Sequence, residues 1–409
     1  MSRGRLPPEA KILSIADMAE ATVGGVNQHR QFQLSLAVIA LLTALGTGCL
    51  RAEIRIAVVG PMSISPMTSQ YAAFGEQLQR GAELAVRDIN ESGGINGQKV
   101  TLVIADDAGC DPNIAVEVAS ELSRQGVLFV DGHYCSSASI PASRVYNEKR
   151  VLMISPGSTN PKLTEQSFPN VFRVCGRDDV QGSFAADYVV DHLRVDTIAV
   201  VHDHSAYGEG IADEFRRRLH QRGARETMYA AIEQGDKEFG DLIAKMIEGG
   251  IQLIYFGGYF TETGLFVRQA RSRGLTAKMM VTSGSLTQEY WDLAGSAAEG
   301  TLVTFGPEPR QLASAAEVVK RFETEGFNPE GYTLYAYAAI QIFAEAAKKV
   351  GSTSVELIEQ TLHRGTYETV LGPITFDAKG DVQGFQYSMY RWHNRRYEEI
   401  CCRPGGKSD

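Results

Sequence analysis

VLFVDGHYCSSASIP, residues 127–141, begins as an apolar strand and ends as a small-residue helix start. Between the two stands Cys135, with His133 two positions before it and Ser136 and Ser137 directly after. Read as chemistry, the stretch offers a thiol nucleophile with histidine as its base. Read as architecture, it offers a loop beyond a strand end whose serines hold a ligand. Side chains two apart on a strand can be neighbours, yet no carboxylate to orient the histidine is evident, and an exported thiol tends to be oxidised. The architectural reading makes this stretch one β-α unit in a series.

The series runs in both directions. EIRIAVVG (53–60), VTLVIADD (100–107), VLFVDGH (127–133) and VLMISPG (151–157) are β-rich runs. The segments between them, such as FGEQLQRGAELAVRDI (74–89) and IAVEVASELSRQG (114–126), have helical period. Strands alternating with amphipathic helices predict a parallel, helix-covered sheet. After FRVCGRDD (172–179) the pattern restarts with a helix at 184–193, TIAVVHDHS (197–205), a helix at 210–223, a short strand near MYAAI (228–232), LIYFGGY (253–259) and KMMVTSG (278–284). The expected class is therefore α/β with two lobes, each a mostly parallel sheet flanked by helices. Residues 312–326, 332–351 and 353–365 read as helices, and 385–394 as a final alternating strand. Such a tail completes the two lobes by crossing back between them, which gives parallel connections that act as a hinge.

Composition is that of a globular protein, 44% apolar and 22% charged over 409 residues. The first 52 residues stand apart as an export leader: Leu34–Leu45 is apolar for about one signal-peptide core, too short to cross a bilayer comfortably. Met18 is a second candidate start, since residues 1–17 add no signal-peptide character. Two processing sites compete. LGTGC (45–49) approximates a bacterial lipobox with Cys49 as the acylated residue, although Gly46 stands where leucine is usual; the sequence before Glu53 is a rougher small-residue site. Both put the mature chain outside the cytoplasm, and a membrane contact, if any, is a lipid on Cys49. Forty basic against 49 acidic residues give −9; without residues 1–52 the balance is 35 against 46, or −11. An acidic body without a basic cluster argues against nucleic-acid partners.

No phosphate loop, dinucleotide fingerprint, HExxH or GxSxG is present, so no cofactor, metal or catalytic residue is expected. His202, Asp203 and His204 read as ordinary strand-end residues without a third metal ligand. Ligands of open parallel sheets sit beyond the carboxyl ends of the strands. There the sequence places 135–137, 157–159, 205–207, 257–259 and 282–285, mainly serine, threonine, glycine and tyrosine. That set makes hydrogen bonds and carries little charge. Cys110 and Cys135 both lie past strand ends, the second and third, which can be neighbours in a parallel sheet. A bridge there would fix the loop that presents Ser136.

At these residues the chain resembles the leucine/isoleucine/valine-binding proteins, type I periplasmic receptors of branched-chain amino-acid ABC transporters. IAVVGPMS, DINESGGINGQK, DDAGCDP, GHYCSSAS, VLMISPGSTNP, DDVQGSFAADYV, YGEGIAD, YFGGY, AAEGTLVT and GPITFDAKGDVQGFQYSMYRWH match family segments in the same order, across nearly all of 53–400. The resemblance implies two lobes joined by three hinge crossovers, with 53–176 plus 307–383 in the first, 177–306 plus 384–402 in the second, and 403–409 as a tail. It implies a Cys110–Cys135 disulfide. Ser136 and Thr159 belong to the carboxylate site, where hydroxyls and backbone N–H groups hold the ligand; Gly157 offers a carbonyl to its ammonium, and Ser158 between them counts among the ligand-binding residues. Tyr207 and Tyr259 come from the second lobe, and Phe74 and Tyr332 line the side-chain pocket. A carboxylate among neutral donors at strand ends and helix N-termini needs no buried lysine.

One departure matters. Ser283 stands where the family places an acidic counter-charge for the ammonium, which opens the alternative of a keto acid, an aromatic acid or an amide. An insertion at 63–70 alters the pocket rim. The implied function is uptake of an aliphatic amino acid through a membrane permease. The rivals are a ligand sensor of the same fold, disfavoured by the leader and by the lack of a later membrane span, and a cysteine hydrolase.

Overall fold

A computed structural model describes residues 53–62 and 71–401. The leader with Cys49, the segment 63–70, Cys402 and residues 403–409 lie outside the described residues. The first sheet contains β1 (Ile54–Gly60), β2 (Val100–Asp106), β3 (Phe129–Gly132), β4 (Leu152–Ser155) and β5 (Val171–Arg173) in the order β2-β1-β3-β4-β5, all parallel. β3 and β4 are buried throughout and β1 at all but Arg55, as strands covered on both faces by helices must be. The covering helices are α1 (Ala72–Glu91), α2 (Pro112–Arg124) and α3 (Ser136–Lys149), followed by one short turn, α4 (Lys162–Glu165).

The second sheet is larger. β6 (Ile198–His202), β7 (Met228–Ala231), β8 (Leu253–Gly257), β9 (Lys278–Val281) and β10 (Leu302–Phe305) are parallel. β13 (Ser388–His393) and β14 (Arg396–Cys401) add antiparallel at its edge, in the order β14-β13-β10-β9-β8-β6-β7. Its helices are α5 (Asp178–His192), α6 (Ala206–Gln221), α7 (Gly240–Glu248), α8 (Phe260–Ser272) and α9 (Gln288–Ala294). The chain then returns to the first lobe through α10 (Ala316–Thr324), α11 (Thr333–Val350), α12 (Val355–Leu362) and the hairpin of β11 (Tyr367–Thr369) and β12 (Gly372–Ile374). α11 packs on α1 so closely that a Cβ on Gly81 would lie 2.2 Å from the Thr333 carbonyl oxygen.

The fold is the expected two-lobed α/β class, with differences in detail. β2 and β3 are not neighbours; each flanks β1, and the two loops meet across its end. α5 starts at Asp178, six residues before the apolar period begins, and α6 starts at Ala206, four residues early. β5, β11, β12 and β14 carry too short or too polar a pattern to read as strands.

Both lobes share one strand order, with the first strand between the second and third. Connections leave β1 and β3, and likewise β6 and β8, toward opposite sides, so a crevice forms beyond their carboxyl ends. Three crossovers, 174–177, 306–308 and 383–387, link the sheets. They converge on Phe385. A Cβ on Gly176 would stand 2.5 Å from the Phe385 ring and 2.4 Å from the Tyr387 hydroxyl, and one on Gly306 would stand 2.6 Å from the same ring. Gly176→Ala is therefore expected to displace Phe385 and lower stability by about 1–3 kcal/mol. Urea unfolding checks this, and a loss below about 0.5 kcal/mol would mean that the ring moves freely.

Candidate functional site

The crevice is built by loops that leave strands and enter helices. After β3 the chain passes Tyr134 and Cys135 and begins α3 at Ser136. Ser136 is the first helical residue, not the cap, and its hydroxyl accepts from the Asn160 N–H at 3.2 Å. It thereby ties the start of α3 to the loop after β4. Cys135 forms a disulfide with Cys110, Cα–Cα 5.7 Å. His133 is held between Asp107 Oδ2 (2.9 Å) and the Tyr146 hydroxyl (3.0 Å), all buried. With the sulfur in a bridge and the imidazole committed elsewhere, the nucleophile reading of this stretch fails.

Ser136, Gly157, Tyr207, Tyr259, Ser283 and Tyr332, six of the residues expected from the sequence, line one small cavity with Tyr134 and Gly284. The cavity measures about 10 Å³, room for about one water, so any larger ligand enters only when the lobes part. Its wall carries no charged side chain. The Tyr207 hydroxyl lies 3.0 Å from Ser283 Oγ and accepts from the Gly284 N–H at 3.1 Å. Burial raises the Tyr207 proton affinity further above an already alkaline value, so this phenol stays a neutral donor.

Phe74 stands one layer back. It stacks on Tyr134 at 4.3 Å and meets Tyr332 and Tyr259 at 6.4 Å, completing an aromatic cluster fed by both lobes. Ser158 faces away: its hydroxyl reaches the Tyr134 carbonyl (2.8 Å) and Ser139 Oγ (2.5 Å), so it shapes the loop from inside the first lobe. Thr159 is buried, its side chain faces the Asp178 carboxyl, and its carbonyl accepts from the Asp178 N–H at 2.9 Å. Across the crevice, Asn160 Nδ2 donates to the Ala206 carbonyl (2.6 Å) and Gln234 Nε2 to the Tyr71 hydroxyl (2.7 Å).

The lobes resemble solved proteins closely enough to place the chain. A model of the periplasmic binding proteins matches residues 53–396. The chain belongs to that family. A Leu/Ile/Val-binding protein homolog from Brucella melitensis biotype 1 is 46% identical over 328 residues, 80% of this chain and 88% of the relative. Two crystal structures cover 85% of this chain and 98% of their own: a leucine binding protein, LivK, from Thermotoga maritima (TM-score 0.78, 26% identity), and LivJ from Streptococcus pneumoniae in complex with isoleucine (TM-score 0.77, 25% identity). Periplasmic binding proteins are extracytoplasmic binding components, not enzymes. Among the described residues no helix is long and apolar enough to cross a membrane.

Two site residues were not expected from the sequence. Tyr134 sits in a loop without periodicity; the one available signal is Gly157, where a Cβ would come within 2.6 Å of the Tyr134 ring. Gln181 lies one turn into α5, with Oε1 3.4 Å from Ser283 Oγ and Nε2 donating to the Thr304 carbonyl at 2.9 Å. Of the remaining cysteines, Cys175 is free and buried in the first crossover, where burial pushes its thiol up to about 12. Cys401 is disulfide-bonded, and its partner is not among the described residues.

Proposed function

We propose that this chain is an extracytoplasmic solute-binding protein that closes on a branched-chain or related aliphatic amino acid and delivers it to the membrane subunits of an ABC transporter. The observation that carries this reading is the shared cavity: hydroxyls, glycines and phenols from both lobes meet at the strand ends without a charged wall. The names of the relatives support the ligand class. In this reading Ser136 and Thr159 hold the carboxylate through hydroxyl and backbone N–H groups, with Ser158 shaping their loop. The Gly157 carbonyl takes the ammonium. Tyr207, Tyr259 and Ser283 close from the second lobe, and Phe74 and Tyr332 bound the aliphatic side chain. The lobes divide at 176/177, 306/307 and 383/384, and closure catalyses no reaction. A lipid on Cys49 would tether the protein to the membrane; cleavage before Glu53 would release it.

Ser283 favours a second reading within the same site, a carboxylate that lacks an ammonium. Calorimetric titration of the mature protein with leucine, isoleucine, valine, their keto acids and short amides separates the two. Heat from at least one branched-chain amino acid is expected. Tight keto-acid binding with no amino-acid heat would overturn the assignment.

A further inference from the structure

Tyr71 directly precedes α1 and is 3% exposed, although it does not line the cavity. It follows 63–70, the insertion expected at the pocket rim. Its ring meets that of Tyr259 at 4.6 Å, and Tyr259, a second-lobe residue of the cavity wall, meets Tyr207 at 5.1 Å. The Tyr71 hydroxyl accepts from Gln234 Nε2 at 2.7 Å. Both Tyr71 contacts run from the first lobe to the second.

Gln234 is presented by a pinned turn after β7. Glu233 N–H donates to Asp236 Oδ2 (2.9 Å), Asp236 N–H to the Glu233 carbonyl (3.0 Å) and Gly235 N–H to Glu262 Oε1 on α8 (2.8 Å). β7 is the edge of its sheet away from the hinge: two of the three crossovers join this sheet at β10 and β13, and β7 lies four strands beyond β10. Four strand spacings make a lever of about 19 Å, so a hinge turn of about 10° shifts Gln234 by about 3 Å and breaks its bond. Asn160 and Glu330 also reach across, to the Ala206 carbonyl and the Gln288 N–H, but these partners follow β6 and β9, nearer the pivot.

We propose that Tyr71 and Gln234 form a latch at the far rim of the crevice, which holds the closed lobes together and sets how long the ligand stays. This rests on the reading above, of a ligand enclosed by closing lobes. The ring of Tyr71 keeps Tyr259 in place at the cavity, and the bond from Gln234 secures the ring. The open protein lacks both contacts, so the latch slows release and leaves entry alone.

The experiment loads wild type, Gln234→Ala, Tyr71→Phe and the double variant with radiolabelled leucine and chases it with excess unlabelled leucine. Each single variant should release leucine about 2- to 5-fold faster, the lower half of what a neutral hydrogen bond yields because Gln234 reaches solvent. The double variant should match the singles, since all three lack the same bond. Association rates, and the urea midpoint of Gln234→Ala, should stay at wild-type values, which a merely distorted loop would not give. Tyr71→Ala, which also takes the ring from Tyr259, should release faster than Tyr71→Phe. Unchanged release in both single variants, effects that multiply in the double variant, or association slowed as much as release is quickened overturns the latch alone. A wild type that takes only the keto acid of leucine defeats the amino-acid reading, and the same chase with that acid then judges the latch. A wild type that binds neither overturns the latch together with the reading beneath it.

Discussion

Arg173→Met is expected to lower the unfolding free energy by about 3–5 kcal/mol, because one partner of a buried ionic network disappears and the others stay buried. Arg173 is 0% exposed. Its Nη1 donates to the carbonyls of Ser158 (2.8 Å) and Asn160 (3.0 Å), on either side of Thr159, and Nη2 donates to Thr164 Oγ1 (2.7 Å). Nε lies 2.6 Å from Asp381 Oδ1, an ion pair in distance although the N–H points off the line to the oxygen. Asp381 is held a second time by Arg177 at 2.5 Å. Methionine fills most of the volume and replaces none of these donors. The loop that carries Thr159 would lose its clamp, so ligand affinity should fall along with stability. Urea unfolding and calorimetric titration measure the two effects. A stability loss under about 1 kcal/mol would show that water or Arg177 takes over the network.

Removal of the disulfide is the second large effect. The bridge spans 25 residues, and the loop-entropy model gives about 3.5 kcal/mol for a closure of that length. Cys110→Ala with Cys135→Ala is expected to lose most of this. The change should reach the site as well, since Ser137 Oγ donates to the Cys110 carbonyl at 3.2 Å, directly beside Ser136. Urea unfolding of wild type with and without reductant, beside the double variant, tests it. With reductant in both samples, which also opens the Cys401 bond, wild type and variant should unfold at the same midpoint, below that of the oxidised wild type; an oxidised variant that matches oxidised wild type would remove the Cys110–Cys135 bridge from any account of stability.

Much of this architecture can be read from residues alone, for a definable reason. Strands of a sheet covered on both faces are continuous apolar runs, so VLFVDGH and LIYFGGY stand out against any helix. VFR at β5 is too short to do so, and RYEEIC at β14 alternates with charge because it lies at an edge. The residues following strand ends are legible for the same reason the strands are, and five of them, Ser136, Gly157, Tyr207, Tyr259 and Ser283, meet in one cavity. What the residues conceal is burial created by the chain crossing over itself. In sequence Arg177, Asp178 and Asp179 look like a solvated charge cluster at a helix start. In the folded chain Asp179 and Arg177 pair at 2.9 Å, whereas Asp178 turns inward toward Thr159. Tyr134 is hidden in the same way, beside a cysteine whose chemistry attracts the attention.

Phe385 gives the motion its character. Because one ring is wedged against a glycine in each of the other two connections, none of the three can twist while its companions stay still. The ring acts as a common spindle, restricting the halves to a single collective rotation. The three connections would then turn together on closure, and a side chain added at Gly176 or Gly306 would push the ring out of the place where they meet.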